Sequence, residues 1–114
     1  EHNAKYFTGQ SAIHPLTRYM LLDLKIPDNK QTEISGVIHA NGTARIQTIF
    51  TKKDNPFLYE LLSLLDEQYN IKALINTSFN NKGNPIVHTA QDAVKSAQEM
   101  GLDAVVINGK ITIF

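Results

Sequence analysis

The sequence predicts an α+β (mixed α/β) fold in which two principal helices pack on a twisted, mixed β-sheet. Two observations predict the sheet: short apolar runs with alternating polar residues, and two Asn-Gly pairs typical of tight hairpin turns. A third observation predicts the helices, because two segments join an N-cap signal to apolar residues spaced three and four apart. The length of 114 residues is that of one domain.

The first half of the chain predicts three strands. Residues 19–26 (YMLLDLKI) end in alternating apolar and polar residues until Pro27 closes the run. Residues 36–40 and 43–50 flank Asn41-Gly42 and predict a β-hairpin. Alternate residues of a strand share one face, which here places these polar side chains together: Thr43, Arg45 and Gln47.

The second half of the chain also predicts three strands. Residues 72–76 (KALIN) are nearly all apolar, as in a strand that is covered on both faces. Residues 103–107 and 110–114 flank Asn108-Gly109, and this arrangement predicts a closing hairpin.

Two helices are predicted between these strands. Asn55-Pro56 supplies an N-cap and a first helical residue, and an apolar stripe follows that favours core packing: Leu58, Leu61, Leu62, Leu65 and Tyr69. Thr89 is the N-cap of the second helix, Asp92 completes a capping box, and Gly101 ends the helix. Its apolar side is formed by Val94, Ala97 and Met100.

Charge and composition exclude several classes of function. Lys and Arg number 11, as do Asp and Glu, so the zero net charge argues against a nucleic-acid or anionic-membrane binder, which needs clustered cations. The absence of cysteine excludes disulfides, thiolate catalysis and cysteine-bound zinc. The histidines lack metal-site spacing, so no metal ligands are predicted. No apolar run is long enough to cross a membrane, and we expect a cytoplasmic protein.

The loop at residues 77–85 (TSFNNKGNP) is the first candidate functional site. It follows the predicted buried strand, where open α/β sheets bind ligands. Its amide and hydroxyl side chains suit phosphate oxygens or a developing oxyanion: Asn76, Thr77, Ser78 and Asn80. The same groups could instead tie down the loop itself, and the sequence leaves both alternatives open.

Arg45 is the second candidate. Its guanidinium stands among polar neighbours on one face of the predicted sheet, where it could grip a phosphate or carboxylate with two parallel hydrogen bonds. An arginine on a solvated sheet face would look the same in sequence.

Four segments together resemble the C-terminal part of the carbamoyltransferase family, whose members pair a Kae1-like domain with a YrdC-like one. They are HANGTARIQT (39–48), DNPFLYELL (54–62), ALINTSFNNKGNPIV (73–87) and TAQDAVKSAQEMGLDAVVI (89–107). The resemblance runs from about residue 19 to the end, in the family's order. It implies that residues 1–114 are the C-terminal portion of a YrdC-like domain, with a core at 19–114. Residues 1–18 are expected to be an irregular lead-in, because the opening stretch shows neither helical nor strand periodicity.

The resemblance also implies an activity. In this family the YrdC-like domain binds ATP and carbamoyl phosphate and forms carbamoyl-adenylate, and a hydroxyl acceptor is then carbamoylated at a metal site in the Kae1-like domain. Arg45 and Ser78 would be catalytic, and the substrate and nucleotide would be bound by Thr43, Arg45, Asn76, Thr77, Ser78 and Asn80. ATP with Mg²⁺ would be a co-substrate in the full-length protein, and no cofactor would be intrinsic to this fragment. The residues present here would be inactive alone, because the upstream part of the site and the Kae1-like domain are missing from them.

Four positions depart from the family pattern. Asn41 replaces the usual Asp of His-x-Asp-Gly-Thr, Lys82 and Asn84 replace an Arg and a Glu, and His88 replaces a Cys. The departures at Asn41, Lys82 and Asn84 motivate an alternative function, a non-catalytic nucleotide-binding or regulatory module with the same fold. An RNA-binding role is a weaker alternative, since the neutral charge argues against it.

Overall fold

The computed structural model describes residues 2–9 and 13–114 and divides the chain into two compact units, Glu1–Ile75 and Asn76–Phe114. The strands of the described residues form two separate two-stranded antiparallel sheets, one in each unit. The α+β class is therefore confirmed. The single mixed sheet that the sequence predicts is not formed by these residues.

The first unit holds three α-helices, two 3₁₀ helices and two strands among its described residues. In chain order they are α1 His2–Thr8, the first 3₁₀ helix Pro15–Tyr19, β1 Asp23–Lys25, α2 Asp28–Gln31, the second 3₁₀ helix Thr32–Val37, β2 Thr43–Arg45 and α3 Pro56–Tyr69. The second unit holds α4 Ala90–Glu99, β3 Ala104–Ile107 and β4 Lys110–Ile113.

A small apolar core organises the first unit. Phe7 of α1, Ile26 after β1 and Ala44 of β2 are buried together, and Ile34, Ile38 and Ile46 pack partly buried against them. The lead-in that was expected to be irregular therefore contains α1, because burial of Phe7 supplies the tertiary packing that a short helix needs. Residues 1 and 10–12 of that lead-in lie outside the described residues.

The hairpin predicted around Asn41-Gly42 is wrong. Residues 32–37 form the second 3₁₀ helix, and β2 pairs with β1 instead, with Asp23 opposite Arg45, Leu24 opposite Ala44 and Lys25 opposite Thr43. This pairing brings Ala44 together with Ile26 in the buried core of the first unit, and such long-range burial overrides the local turn signal. The strand predicted at 19–26 is correspondingly reduced to three residues.

The long helix α3 begins as predicted. Asn55 Oδ1 accepts a hydrogen bond from the Leu58 N–H at 3.0 Å, and Pro56 occupies the first turn. The helix ends at Asn70, whose φ of 54° is left-handed. Four of its five leucines, Leu58, Leu61, Leu62 and Leu65, are half-buried, whereas Leu64 and Tyr69 are exposed, so the apolar stripe packs only in part.

The strand predicted at 72–76 is also wrong. These residues adopt no regular structure, and the side chains of Leu74 and Ile75 are exposed. A strand needs a neighbour for its backbone N–H and C=O groups, and no described strand pairs with this segment.

The second unit matches its sequence predictions closely. Thr89 and Asp92 form the capping box of α4, which buries Ala93 and Ala97, and Gly101 follows with a φ of +68°. The closing hairpin pairs Ala104 with Ile113 and Ile107 with Lys110.

Candidate functional site

Strand β2 and the residues that follow it place their side chains as the alternation predicts. Ala44 is buried, whereas Arg45 and Gln47 are exposed and Thr43 is half-buried. The β1–β2 register sets Asp23 directly opposite Arg45, so the two side chains belong to the same face of this sheet. The polar residues at this place, Asp23, His39, Asn41, Thr43 and Arg45, are called the β2 cluster below.

The tight turn before β2 fixes the β2 cluster. The His39 N–H donates to the Thr43 carbonyl and the Gly42 N–H donates to the His39 carbonyl, both at 2.8 Å. Asn41 Oδ1 accepts the Thr43 N–H at 3.2 Å and the Thr43 hydroxyl at 2.7 Å. Lys25 Nζ donates to the Asn41 carbonyl at 3.0 Å. The backbone on the N-terminal side of Arg45 is therefore held by several independent hydrogen bonds.

His39 is part of the same network. Its Nδ1 lies 3.1 Å from Thr43 Oγ1 and 3.7 Å from Asp23 Oδ1. The Thr43 hydroxyl is thus hydrogen-bonded to both Asn41 and His39, and these bonds hold the two side chains in place.

Arg45 differs from the rest of the β2 cluster because its side chain has no polar partner among the described residues. Among the described residues its guanidinium makes no hydrogen bond and no ion pair, and its side chain is exposed on a fixed strand. A guanidinium in this state offers its forked donors to a phosphate or carboxylate without first breaking an internal contact.

The candidate loop of the second unit is held by its own side chains. Asn80 Nδ2 donates to the carbonyl oxygens of Asn81 at 3.2 Å and Asn84 at 2.9 Å, and the Val87 N–H donates to the Phe79 carbonyl at 3.0 Å. Asn81 Nδ2 reaches Glu99 Oε2 on α4 at 2.6 Å. For Asn80, the structure therefore supports the alternative in which the side chain ties down the loop.

Thr77 and Ser78 stand in contrast to Asn80. Both side chains are exposed, and within the described part of the chain neither hydroxyl makes a hydrogen bond. Asn76 is also exposed. The predicted site residues thus fall into two sets: Thr43 and Arg45 lie together in the first unit, and the four loop residues lie together in the second.

Arg18 is a second structurally important arginine that the sequence does not mark. Its Nη1 donates to Asp54 Oδ1 at 2.6 Å, and its guanidinium lies 4.6 Å from the centroid of the Phe50 ring. Gln47 Nε2 also donates to the Arg18 carbonyl at 3.1 Å. No local pattern marks this arginine, because its partners are 29 and 36 residues away. Its guanidinium is occupied by structural contacts, unlike that of Arg45.

Hydrogen bonds lower the pKa of the Asp54 carboxyl. The backbone N–H of Thr51 has the largest effect and the Arg18 guanidinium contributes next. Asp54 is therefore a structural anion in the first unit.

Among the described residues, no three His, Cys, Asp or Glu side chains come close enough together to hold a metal ion. No helix among them has the length and apolar character that crossing a membrane requires.

Comparison with known proteins gives a consistent result. The family model of the carbamoyltransferase C-terminus matches residues 1–113. Nodulation protein NolO of Bradyrhizobium diazoefficiens is 30% identical over 89 residues, which cover 78% of this chain and 16% of that protein. An uncharacterized protein of Methanocaldococcus jannaschii is 38% identical over 90 residues, covering 78% and 17%. Nodulation protein NolNO of Sinorhizobium fredii is 32% identical over 89 residues, covering 78% and 13%. The chain spans less than a fifth of the length of each of these relatives.

Proposed function

This chain belongs to the carbamoyltransferase C-terminal family, and we propose that it forms one wall of a site that makes carbamoyl-adenylate from carbamoyl phosphate and ATP. The activated group then passes to an acceptor hydroxyl in a Kae1-like domain of the same O-carbamoyltransferase, in the cytoplasm. The observation that carries the proposal is the exposed guanidinium of Arg45, which has no partner among the described residues of a chain matched to this family over residues 1–113.

The proposed chemistry needs fixed donors for phosphoryl oxygens. Water cleaves carbamoyl phosphate to carbamate and inorganic phosphate, a carbamate oxygen attacks the α-phosphorus of ATP, and the bond to pyrophosphate breaks. Negative charge spreads over the phosphoryl oxygens in the transition state, and preorganised donors stabilise it electrostatically. Arg45 suits this role because its fork matches two phosphoryl oxygens at once.

The loop hydroxyls suit the same chemistry. Ser78 and Thr77 are exposed, and neither hydroxyl makes a hydrogen bond with another described residue, so either can donate to a nucleotide phosphate. In the proposal Ser78 is the catalytic donor, Asn76 and Thr77 bind the phosphates, and Asn80 holds the loop in shape. Thr43 positions Arg45 through its bonds to Asn41 and His39.

ATP enters this proposal as a substrate together with Mg²⁺. The described residues offer no group of three or more ligands that would hold the ion. Mg²⁺ is commonly bound through substrate phosphates with one or two carboxylates, so the ATP phosphates would be its main ligands.

The test is release of pyrophosphate from ATP in the presence of carbamoyl phosphate, measured on the full-length protein. Arg45→Ala and Ser78→Ala should each lower the rate about 100-fold, since loss of one such donor costs about 3 kcal/mol in the barrier. Arg45→Lys should recover part of the rate, because it restores the charge but not the fork.

Matched controls are available on the same chain. Lys53→Ala removes an exposed cation and Ser35→Ala removes an exposed hydroxyl, and neither residue is among the proposed donors. Wild-type rates in Arg45→Ala and Ser78→Ala, alongside unchanged controls, would contradict the proposal. Adenylate formation by these 114 residues alone would contradict the accompanying expectation that they are inactive without the rest of the enzyme.

A second candidate function is a non-catalytic nucleotide-binding or regulatory module. It is favoured by the family departures at Lys82 and Asn84, which lie exposed in the candidate loop. The departure at Asn41 does not favour it, because Asn41 Oδ1 accepts the same two bonds from Thr43 that a carboxylate oxygen would. Binding of ATP without consumption of carbamoyl phosphate would decide for this alternative.

A further inference from the structure

The hydrogen bonds of the β2 cluster determine where its protons lie. Asn41 Oδ1 accepts the backbone N–H of Thr43, so this amide atom must be the oxygen. Thr43 Oγ1 lies 2.7 Å from the same oxygen, the usual length of an O–H···O bond. The single proton of the Thr43 hydroxyl therefore points at Asn41.

This leaves Thr43 Oγ1 as an acceptor toward His39. The Nδ1 atom of His39 is 3.1 Å from Oγ1, and a bond at this distance requires that Nδ1 supply the proton. The carboxylate oxygen Asp23 Oδ1, at 3.7 Å from the same nitrogen, also favours a proton on Nδ1. A neutral imidazole protonated at Nδ1 has its lone pair at Nε2.

We infer that His39 is held as the Nδ1–H tautomer, so that its Nε2 is a hydrogen-bond acceptor that recognises the NH₂ of a carbamoyl group beside Arg45. The Nε2 atom has no hydrogen-bond partner among the described residues, and the His39 side chain is 45% exposed. Asp23 links the two residues, since it lies opposite Arg45 and close to His39.

The ligand chemistry follows from this pairing of groups. Arg45 donates to phosphate and carbonyl oxygens, whereas a neutral Nε2 accepts from an N–H. A carbamoyl group presents both an oxygen and an NH₂, and an acetyl group of similar size presents a methyl in place of the NH₂. His39 is therefore a specificity-determining residue, a role that rests on the proposed function above.

The tautomer is tested by NMR of the full chain labelled with ¹⁵N in histidine, at about pH 8, where free histidine is neutral. Long-range ¹H–¹⁵N correlations distinguish the protonated ring nitrogen from the bare one. His14 is an internal control, because its Nδ1 accepts the Leu16 N–H at 3.2 Å and so must be bare. We expect opposite tautomers, Nδ1–H for His39 and Nε2–H for His14.

Two variants sharpen this result. Thr43→Val removes the acceptor of the Nδ1 proton and should release His39 into a tautomer mixture, whereas Asn41→Asp should leave the Nδ1–H form in place. Observation of Nε2–H at His39 in the wild-type chain would overturn the inference. Neither result depends on enzymatic activity.

The ligand is tested by binding of carbamoyl phosphate and acetyl phosphate to the full-length protein, measured by calorimetry. His39→Phe should reduce the preference for carbamoyl phosphate about tenfold, the equivalent of one hydrogen bond. His39→Gln, which restores an acceptor, should recover part of the preference. Equal preference in wild type and His39→Phe would overturn the assigned ligand, as would absence of binding.

The two proposals fail separately. Arg45→Ala should weaken the binding of carbamoyl phosphate and of acetyl phosphate equally, because both ligands present the same phosphoryl oxygens to its guanidinium. Unchanged pyrophosphate release in Arg45→Ala counts against the proposed function, whereas the tautomer and the carbamoyl preference test His39 alone.

Discussion

Arg18 and Asp54 are joined by a hydrogen bond of 2.6 Å between Nη1 and Oδ1, although 36 residues separate them in the chain. The other oxygen of Asp54 accepts the Thr51 N–H at 2.8 Å. Both carboxylate oxygens are therefore used, and the first 3₁₀ helix is attached to the turn that precedes α3.

Replacement of Arg18 should destabilise the first unit. Arg18→Ala removes the ion pair with Asp54 and the stacking of the guanidinium on Phe50, and the stacking alone should cost about 0.5–1 kcal/mol in the free energy of unfolding. Urea unfolding measures this loss. Arg18→Lys keeps the charge and should be intermediate; a variant as stable as wild type would show that the contact contributes nothing.

Asp54 predicts how stability depends on pH. Its pKa is lowered from the ordinary value of 3.8, chiefly by the Thr51 N–H and then by Arg18. A lowered pKa in the folded state means that the stabilisation is complete above the unfolded value and is lost as pH falls through the folded one. The urea concentration at which half of the protein is unfolded should therefore decrease as the pH is lowered below about 4. Asp54→Asn should make this urea concentration less dependent on pH in the acid range. The same pH dependence in the variant as in wild type would contradict the assignment.

The capping box of α4 predicts a local loss of stability. Thr89 Oγ1 accepts the Asp92 N–H at 3.1 Å, so Thr89→Ala leaves that donor without its cap and should cost about 1 kcal/mol. Thr89→Ser retains the hydroxyl and should unfold at nearly the wild-type urea concentration. Equal midpoints for the Ala and Ser variants would show that the box does not stabilise the helix.

Gly42 and Gly109 both have a positive φ, but an added Cβ would meet close neighbours only at Gly42. Comparing the two sites distinguishes the cost of backbone strain from the cost of a steric clash. Gly42 and Gly109 have φ of +73° and +75°, so alanine should cost each site about 1–2 kcal/mol. Around Gly109 the space is open, whereas an added Cβ at Gly42 would lie 2.6 Å from Lys25 Nζ and 2.9 Å from Gln31 Nε2.

Gly42→Ala should therefore be the more destabilising of the two. It displaces side chains that donate to the carbonyl oxygens of Asn41 and Ile26, and each lost bond adds about 0.5–1.5 kcal/mol. Unfolding in urea compares the two variants. Equal losses would mean that the lysine and glutamine move aside without cost.

The two Asn-Gly pairs show why a local signal can mislead. At Asn108-Gly109 both residues have positive φ, as a two-residue hairpin turn requires, and β3 pairs with β4. At Asn41-Gly42 the positive φ belongs to Gly42, while the Asn41 side chain accepts both bonds from Thr43. The same dipeptide thus makes a hairpin in one place and a side-chain-capped turn in the other.

Part of the candidate site, the exposure of Arg45, could be predicted from the sequence. The alternation of β2 placed Arg45 on the exposed face and Ala44 on the buried one, because side-chain direction in a strand has period two. The absence of a partner for Arg45, and the engagement of Asn80 with its own loop, depend on distances that no spacing encodes. Asp23 belongs to the β2 cluster because β1 pairs with β2. Even the paired residues nearest in sequence, Lys25 and Thr43, are 18 residues apart, so this pairing has no local signal.

The sequence by itself determined the family, the α+β class and the features governed by neighbouring residues: the starts of α3 and α4 and the closing hairpin. Caps and tight turns are made within a few residues, so their signals are complete in the local sequence. Tertiary structure decided the pairing of β2 with β1, the helix at His2–Thr8, the contact between Arg18 and Asp54 and the unstructured state of residues 72–76. Each of these depends on burial or hydrogen bonding with residues distant in the chain, and an apolar run becomes a strand only where another strand is present to pair with it.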